Sequence, residues 1–277
     1  MLPADVVRRA AGYLERHDVP SPVPTAETLL AGVLGLSRVQ LYTRRAGLTS
    51  DEARTLGRAL CRRCTGTPLQ HLTGEEGFRH ITLAVRPGVF VPRPETEVVV
   101  EHALSALADL IQPVVVDVGT GTGAIALAVA DERPEARIVA TDLSPDAVRL
   151  ARDNAVALGA EVTVLLGDLL DPVDVALRGR VDLVVSNPPY IEEHERSTLP
   201  AEVLADPELA LFGGIPVYRR LFDAAVAWLR PGGAVVVEIA ESRGAAVSAA
   251  AVAAGLGAVR VHPDLGGRDR VVVARRP

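Results

Sequence analysis

The apolar run VDLVVS ends on Asn187-Pro188-Pro189-Tyr190, an amide, two prolines and a phenol in succession. Two consecutive prolines remove two backbone donors and stiffen φ, so the tetrapeptide suits neither a helix interior nor a central strand. It reads as a rigid corner at a strand end. Asn-Pro is also a common turn initiator, so a corner without chemistry competes with any functional reading of these four residues alone. The chemistry they could perform is the presentation of a planar nitrogen. An amide nitrogen is a poor nucleophile because its lone pair is spent in resonance. With both N–H groups held by acceptors, it can be aimed at an electrophilic carbon. The side-chain oxygen of Asn187 and a backbone carbonyl such as that of Pro188 supply two acceptors. The proline pair fixes their geometry, and alignment then provides most of the acceleration. Tyr190 can pack flat on the acceptor group. No general base is needed before transfer, since the N–H acidity rises as the new bond forms.

A second stretch, DVGTGTGAIAL (117–127), carries Gly119, Thr120, Gly121, Thr122 and Gly123 between an apolar run and a helical one. Glycines there let the backbone turn tightly and approach a ligand. Asp142 ends the next apolar run, near the offset of roughly 20 residues at which an acid reaches ribose hydroxyls. Asp168 ends the third run, where a carboxylate could meet an adenine amino group. Asp117 could orient the loop or the amino group of a cofactor. Gly119, Gly121 and Ala124 also satisfy the dinucleotide pattern with alanine in its third place. The loop by itself therefore leaves S-adenosylmethionine and a nicotinamide dinucleotide both open.

These residues need a scaffold that brings strand ends together. From Pro113 onward, apolar strand-like runs (VVVDVG, RIVATDL, VTVLLGD, VDLVVSN, AVVVEIA) alternate with helical ones. That rhythm predicts an α/β fold with a mostly parallel sheet covered by helices on both faces. Ser144 and Pro145 read as the N-cap and first residue of one helix. VYRRLFDAAVAWLR reads as another helix, ended by Pro231-Gly232-Gly233, and AVRVH and RVVVARR as closing strands. Ahead of this, residues 1–73 read as a small helical domain. Val6, Val7, Ala10, Ala11 and Leu14 recur at helical spacing. Thr25 is the expected N-cap of a second helix, and Thr49 and Glu52 have capping-box spacing. Residues 74–93, with ITLAV and GVFV about Pro87-Gly88, read as a β-hairpin linker. Residues 94–277 form the expected catalytic domain, with Pro94 at the start of its first helix.

Composition narrows the function. The 277-residue chain is 48% hydrophobic but only 3% aromatic, so its core must be aliphatic. Its net charge is −6, and every basic residue other than histidine is arginine. It lacks the bulk positive field that non-specific nucleic-acid binding requires. Cys61 and Cys64 are the only cysteines, which rules out a disulfide framework and fits a reducing compartment. CxxC spacing with only His71 nearby falls short of zinc's four ligands, and no metal site is expected. The N-terminus has no signal-peptide core, and AIALAVA (124–130) is stopped by Asp131-Glu132-Arg133. A cytoplasmic protein without a membrane partner is expected. Residues 191–208, acidic and loop-like, read equally as a mobile lid or a surface loop.

HLTGEEGF (71–78), VFVPRPETEVVVEHAL (89–104), DVGTGTGAIALAVA (117–130) and DLVVSNPPYI (182–191) together make the chain recognisable. It resembles the HemK/PrmC family, the N5-glutamine methyltransferases of peptide chain release factors. LALFGG, GGAVVVEIA and GGRDRVVVA follow in that family's order. Asn-Pro-Pro-Tyr alone is shared with N6-adenine methyltransferases, whereas PRPETE ahead of the glycine loop is more specific. The resemblance implies a class I S-adenosylmethionine-dependent methyltransferase fold, Rossmann-like, behind a helical N-terminal domain that docks a class-1 release factor. It implies S-adenosyl-L-methionine on Asp117, Gly119 to Gly123, Asp142, Leu143, Asp168, Leu169 and Asn187, leaving as S-adenosyl-L-homocysteine. The glutamine of a Gly-Gly-Gln loop would enter against Arg93, Pro94, Glu97 and Asn187 to Tyr190, the last four being the catalytic set. No direct nucleic-acid partner is expected, and a monomer is. One departure stands out: Gly214 runs through Ile215-Pro216 directly into VYRRL, where the family usually carries a short Asp-Gly stretch. A different acceptor, whether a small molecule, another protein or an adenine base, is the alternative reading.

Overall fold

A computed structural model describes residues 1–200 and 202–277. The chain divides into two compact units, one of residues 1–75 with 200–205, the other of residues 76–199 with 206–277.

The first unit is helical: α1 (Pro3–Glu15), α2 (Pro22–Leu34), α3 (Arg38–Thr43), α4 (Ser50–Cys64) and α5 (Leu69–Thr73). Helical spacing puts Val7, Ala10, Ala11 and Leu14 of α1 on one buried stripe, which packs with Leu29, Leu30, Leu41 and Leu56. The capping box at Thr49 and Glu52 forms, each side chain meeting the other's backbone N–H. The expected cap at Thr25 does not. The helix starts one turn earlier, with Ser21 before it and Pro22 in its first turn, and Thr25 is buried inside it. Proline's fixed φ suits that position, so the proline-rich break is the helix start itself. Arg63, buried at the end of α4, pairs with Glu202 at 3.1 Å. Cys61 and Cys64 lie one turn apart on α4, with the Tyr13 hydroxyl 3.8 Å from Cys61.

A small hairpin of β1 (Glu75–Phe78) and β2 (Ile81–Ala84) follows, all but its first residue in the second unit. It turns at Arg79-His80, not at Pro87-Gly88, and GVFV is not a strand. Glu97 explains the register, because its carboxylate accepts the backbone N–H of Arg79 at 3.0 Å. Pro94–Thr96 is a single 3-10 turn leading into α6 (Glu97–Leu107).

The main elements that follow are β3 (Val114–Val118), α7 (Ala124–Glu132), β4 (Arg137–Asp142), α8 (Pro145–Leu158), β5 (Val162–Leu166), β6 (Val181–Ser186), α9 (Glu208–Leu211), α10 (Gly214–Trp228), β7 (Leu229–Glu238), α11 (Gly244–Ala253), β8 (Gly257–Pro263) and β9 (Asp269–Arg275). Ser144 caps α8 with Pro145 at its first position, as expected. Pro231-Gly232-Gly233 does not end α10. The helix stops at Trp228, and the three residues lie inside β7, where its register against β6 shifts. A bulge accommodates glycine and proline that a regular ladder would reject.

The sheet order is β5-β4-β3-β6-β7-β9-β8, with β3 to β7 parallel and β9 antiparallel to both β7 and β8. Alternate residues serve opposite faces. Val115, Leu183, Val185 and Val236 pack with α6, α7 and α8, while Val116, Val184, Val235 and Val237 pack with Tyr218, Leu221 and Phe222 of α10 and Val247 of α11. Each fully buried side chain of this size contributes about 1.5–3 kcal/mol of transfer free energy, so the two clusters hold the parallel strands in one register. The order reverses between β3 and β6, and open α/β sheets bind ligands outside the carboxyl ends of strands at such a switch point.

Candidate active site

Strand register delivers the predicted residues to one edge. Val118 of β3 faces Ser186 of β6 and Thr141 of β4, so Gly119, Asn187 and Asp142 are the next residues out on three adjoining strands. Asp142 faces Leu166 of β5, which puts Asp168 two residues beyond on the neighbouring strand. On the other side Ser186 faces Val237, so Glu238 emerges beside Asn187.

The glycine loop is held from below. Gly119 and Thr120 donate their N–H groups to the Thr141 carbonyl at 2.9 and 3.0 Å. Asp142 accepts the N–H of Gly121 at 2.9 Å on one oxygen and that of Ser144 at 2.8 Å on the other. Burial raises the Asp142 carboxyl above its usual range, and these N–H groups pull it back toward the charged form. Thr122 is buried, with its carbonyl taken by Asn154 at 2.9 Å. Gly123 starts α7 at φ +88°, and a Cβ there would lie 2.8 Å from Leu127 Cδ1, so close packing under the helix requires glycine. Gly119 and Gly121 differ: a Cβ on either meets nothing within 4 Å, so the loop's outer face is open.

Asp117 lies beneath the loop, fully buried. Its Oδ2 accepts from Thr120 Oγ1 at 2.6 Å and from the Ala126 N–H at 3.2 Å, while its Oδ1 has no hydrogen-bond partner. Burial pushes its pKa up to about 7, with the charge of Asp142 adding to it. An unsatisfied buried carboxylate favours a cationic partner and repels phosphate. The open loop with this acceptor beneath it fits the amino-acid end of S-adenosylmethionine better than the pyrophosphate of a dinucleotide.

At the third strand end Asp168 is ion-paired with Arg220 of α10. Leu169 takes a left-handed φ of +47°, and its carbonyl accepts from Thr141 Oγ1 at 2.7 Å. Leu143 is half exposed beside Asp142.

The Asn187-Pro188-Pro189-Tyr190 corner is stitched in place on its far side. Ile191 forms a parallel bridge with Phe212, its N–H reaching the Leu211 carbonyl and its carbonyl the Gly213 N–H, both at 3.0 Å. LALFGG is thus the strap that holds this corner, and Gly213-Gly214 turns directly into α10. Beyond the corner, Arg243 joins Glu192 at 2.5 Å and Glu195 at 3.1 Å. Burial raises the Tyr190 phenol well above its usual range, and the Glu238 charge raises it further, so Tyr190 stays neutral.

Of the PRPETE segment, Arg93 is tied to Asp206 at 2.5 Å and lies over the Phe90 ring, Pro94 starts the 3-10 turn, and Glu97 serves the hairpin. The side chain that meets Asn187 is Thr96, whose Oγ1 accepts from Asn187 Nδ2 at 3.1 Å and donates to Glu238 Oε2 at 2.6 Å. Neither Thr96 nor Glu238 was singled out from the sequence. The available signal was a lone carboxylate inside the apolar run AVVVEIA, since an unpaired charge is rarely buried without a task.

An open parallel sheet, a glycine loop at its switch point and a rigid amide-bearing corner beside it define a class I S-adenosylmethionine-dependent methyltransferase. The model of the methyltransferase small domain matches residues 80–214, and that of the PrmC N-terminal domain matches residues 5–74. The chain belongs to the release factor glutamine methyltransferase family. It is 42% identical to the release factor glutamine methyltransferase of Deinococcus radiodurans over 98% of both chains. It is 44% identical to that of Moorella thermoacetica and 43% to that of Streptomyces coelicolor, each over 98% of this chain and 96% of the relative. Among solved structures, the Thermus thermophilus 16S rRNA N2 G1207 methyltransferase, in complex with AdoMet and guanosine, shares the fold at a TM-score of 0.56 and 20% identity, covering 73% of this chain and 50% of that one. The human Mettl16 catalytic domain does so at 0.58 and 14%, covering 79% and 81%.

Asp142→Ala removes the acceptor shared by Gly121 and Ser144. Its expected effect is a cofactor affinity weaker by about 10- to 100-fold, the size of losing charged hydrogen bonds, with a smaller change in turnover at saturating cofactor. Calorimetric titration checks this, and an unchanged affinity would separate Asp142 from the cofactor.

Proposed function

We propose that the protein methylates the side-chain amide nitrogen of the glutamine in the Gly-Gly-Gln motif of class-1 peptide chain release factors. The observation that carries this reading is Asn187, whose Nδ2 is committed to Thr96 so that Oδ1 is left as an acceptor on a proline-stiffened corner beside the glycine loop. S-adenosylmethionine, when bound, supplies a methyl group activated by its sulfonium. Gly119 to Gly123, Asp117 and Asp142-Leu143 would hold it, with Asp168-Leu169 toward the adenine. Asn187 Oδ1 and the Pro188 carbonyl each take one N–H of the incoming amide, which leaves its nitrogen aligned for attack. Tyr190 flanks the amide plane and remains protonated, so it adds no charge. As the new bond forms, the amide N–H acidifies and its proton leaves to solvent, so the corner needs no base.

The helical unit is read as the docking element for the release factor, and Arg93, Pro94 and Glu97 of the second unit are read as contacts of the incoming glutamine loop. The same reading has a monomer acting in the cytoplasm, and the net charge of −6 fits its lack of direct nucleic-acid contact. Among the described residues no helix is long and apolar enough to cross a membrane.

The test incubates purified protein with methyl-labelled S-adenosylmethionine and each class-1 release factor, followed by mass spectrometry of the Gly-Gly-Gln peptide. One added methyl on that glutamine is the expected result. Cofactor binding without transfer would reassign the acceptor, with the shortened segment after Gly214 the first region to examine.

A further inference from the structure

We propose that Thr96 and Glu238 are positioning residues that set the polarity of the Asn187 amide, so that Oδ1 and not the NH2 group faces the acceptor. The proposal rests on the role assigned to Asn187 above. Thr96 is 3% exposed and Glu238 1%, and the three side chains come from three separate elements: the 3-10 turn, the end of β7 and the end of β6.

Proton count decides the direction of the chain. An ionised carboxylate only accepts, and a threonine hydroxyl has one hydrogen. With that hydrogen on Glu238 Oε2 at 2.6 Å, Thr96 Oγ1 can only accept from Asn187, which it does from Nδ2 at 3.1 Å. The amide oxygen of Asn187 is then left for the substrate. Reversing the chain would turn the NH2 of Asn187 toward an acceptor amide that itself brings two N–H groups, donor against donor. A buried carboxyl beside an apolar core is unfavourable unless satisfied, and Glu238 is satisfied by the hydroxyls of Thr96 and Tyr190. Tyr218 anchors the same point of β7, its hydroxyl donating to the Glu238 carbonyl at 2.7 Å.

Protonation of Glu238 removes the constraint, since a carboxylic acid can donate to Thr96 and free the threonine hydrogen for Asn187 Oδ1. The groups that face Glu238 are Thr96 and Glu95 on the 3-10 turn, Tyr190 after β6, Arg270 on β9 and Tyr218 on α10. Burial dominates and raises its pKa to about 7, Glu95 adds to the rise, and Thr96, Arg270 and Tyr190 oppose it. The carboxylate, and with it the productive amide polarity, is therefore lost as pH falls through neutrality, and kcat declines on the acid side.

The experiment measures kcat at saturating cofactor and release factor for the wild type, Thr96→Val, Thr96→Ser, Glu238→Gln, Asn187→Ala and the double variant Asn187→Ala/Thr96→Val. Cofactor affinity and melting temperature are measured on each. Thr96→Val is expected to lower kcat by about 10- to 100-fold, the scale of a misplaced reacting group, with cofactor affinity kept. Thr96→Ser is expected to restore most of the loss, and Thr96→Val to add little in the Asn187→Ala background, since residues acting as a unit are not additive. Glu238→Gln keeps an acceptor for Thr96 but cannot titrate, so in the same measurement repeated across pH its acid decline should shrink to the share that Asp117, also raised to about 7, contributes through the cofactor loop. Wild-type kcat in Thr96→Val, no rescue by serine, full additivity with Asn187→Ala, or an unchanged acid limb in Glu238→Gln would each overturn the relay. If Asn187→Ala collapses turnover while Thr96→Val does not, the relay alone fails. If Asn187→Ala keeps wild-type turnover, the role of Asn187 fails first.

Discussion

Asn187→Ala is expected to lower kcat by on the order of 10²–10³-fold while leaving cofactor affinity within about twofold, the effect of removing one preorganised polar group from a reacting centre. The reasoning is local. Asn187 donates to Thr96, so the side chain is anchored at one end and presents its oxygen at the other. Alanine keeps the proline corner and the glycine loop, whose own supports are Thr141 and Asp142. What is lost is an acceptor for one N–H of the substrate amide, and with it the alignment of the nitrogen. Steady-state kinetics with a release factor, paired with calorimetric cofactor titration, checks the split. Equal losses in both would contradict the role given to Asn187, because a general collapse of the strand ends would be the simpler account.

Gly213→Ala is expected to be nearly as damaging without touching a reacting group. The Gly213 φ of −169° is extended backbone open to any residue, so the argument is steric. A Cβ there would lie 2.5 Å from the Pro189 carbonyl oxygen, 2.6 Å from Val217 Cγ2 and 3.0 Å from Pro189 Cγ. The carbonyl belongs to a double-proline corner that has little freedom to yield. The strap must therefore shift or the corner must move. Either outcome displaces the carbonyls and Asn187 from the acceptor, and a displacement of about 1 Å is worth about 10²-fold in turnover. Overpacking of this kind also costs about 1–3 kcal/mol of stability, which thermal unfolding would register. Cofactor affinity should survive, since the glycine loop is held through β4. A variant with wild-type turnover would show that LALFGG does not set the corner's geometry.

Much of the scaffold was legible because its signals are local and periodic. Apolar runs separated by amphipathic stretches specified the α/β alternation, and Ser144-Pro145 and Thr49 with Glu52 marked helix starts by chemistry confined to one turn. Where local rules competed, the reading slipped. Pro87-Gly88 carries a stronger turn signal than Arg79-His80, yet the hairpin turns at the latter because Glu97, 18 residues away, takes the Arg79 N–H. Pro231-Gly232-Gly233 reads as a helix stop, but pairing with β6 and β9 draws it into the sheet as a bulge.

The glycine loop, the acids at strand ends and the Asn-Pro-Pro-Tyr corner were readable as residue types at fixed places in the chain, because each lies within one strand-to-loop junction. What joins them could not be read there. Sheet order decides that β6 lies beside β3, and so that Asn187 emerges next to Gly119. It also sets β7 beside β6, which carries Glu238 to a threonine 142 residues earlier in the chain and thereby orients Asn187. By itself the sequence determined which groups this protein has for methyl transfer. The tertiary structure alone decided which way the amide faces, because hydrogen-bond polarity depends on a partner's distance and proton count, and neither is encoded in spacing along the chain.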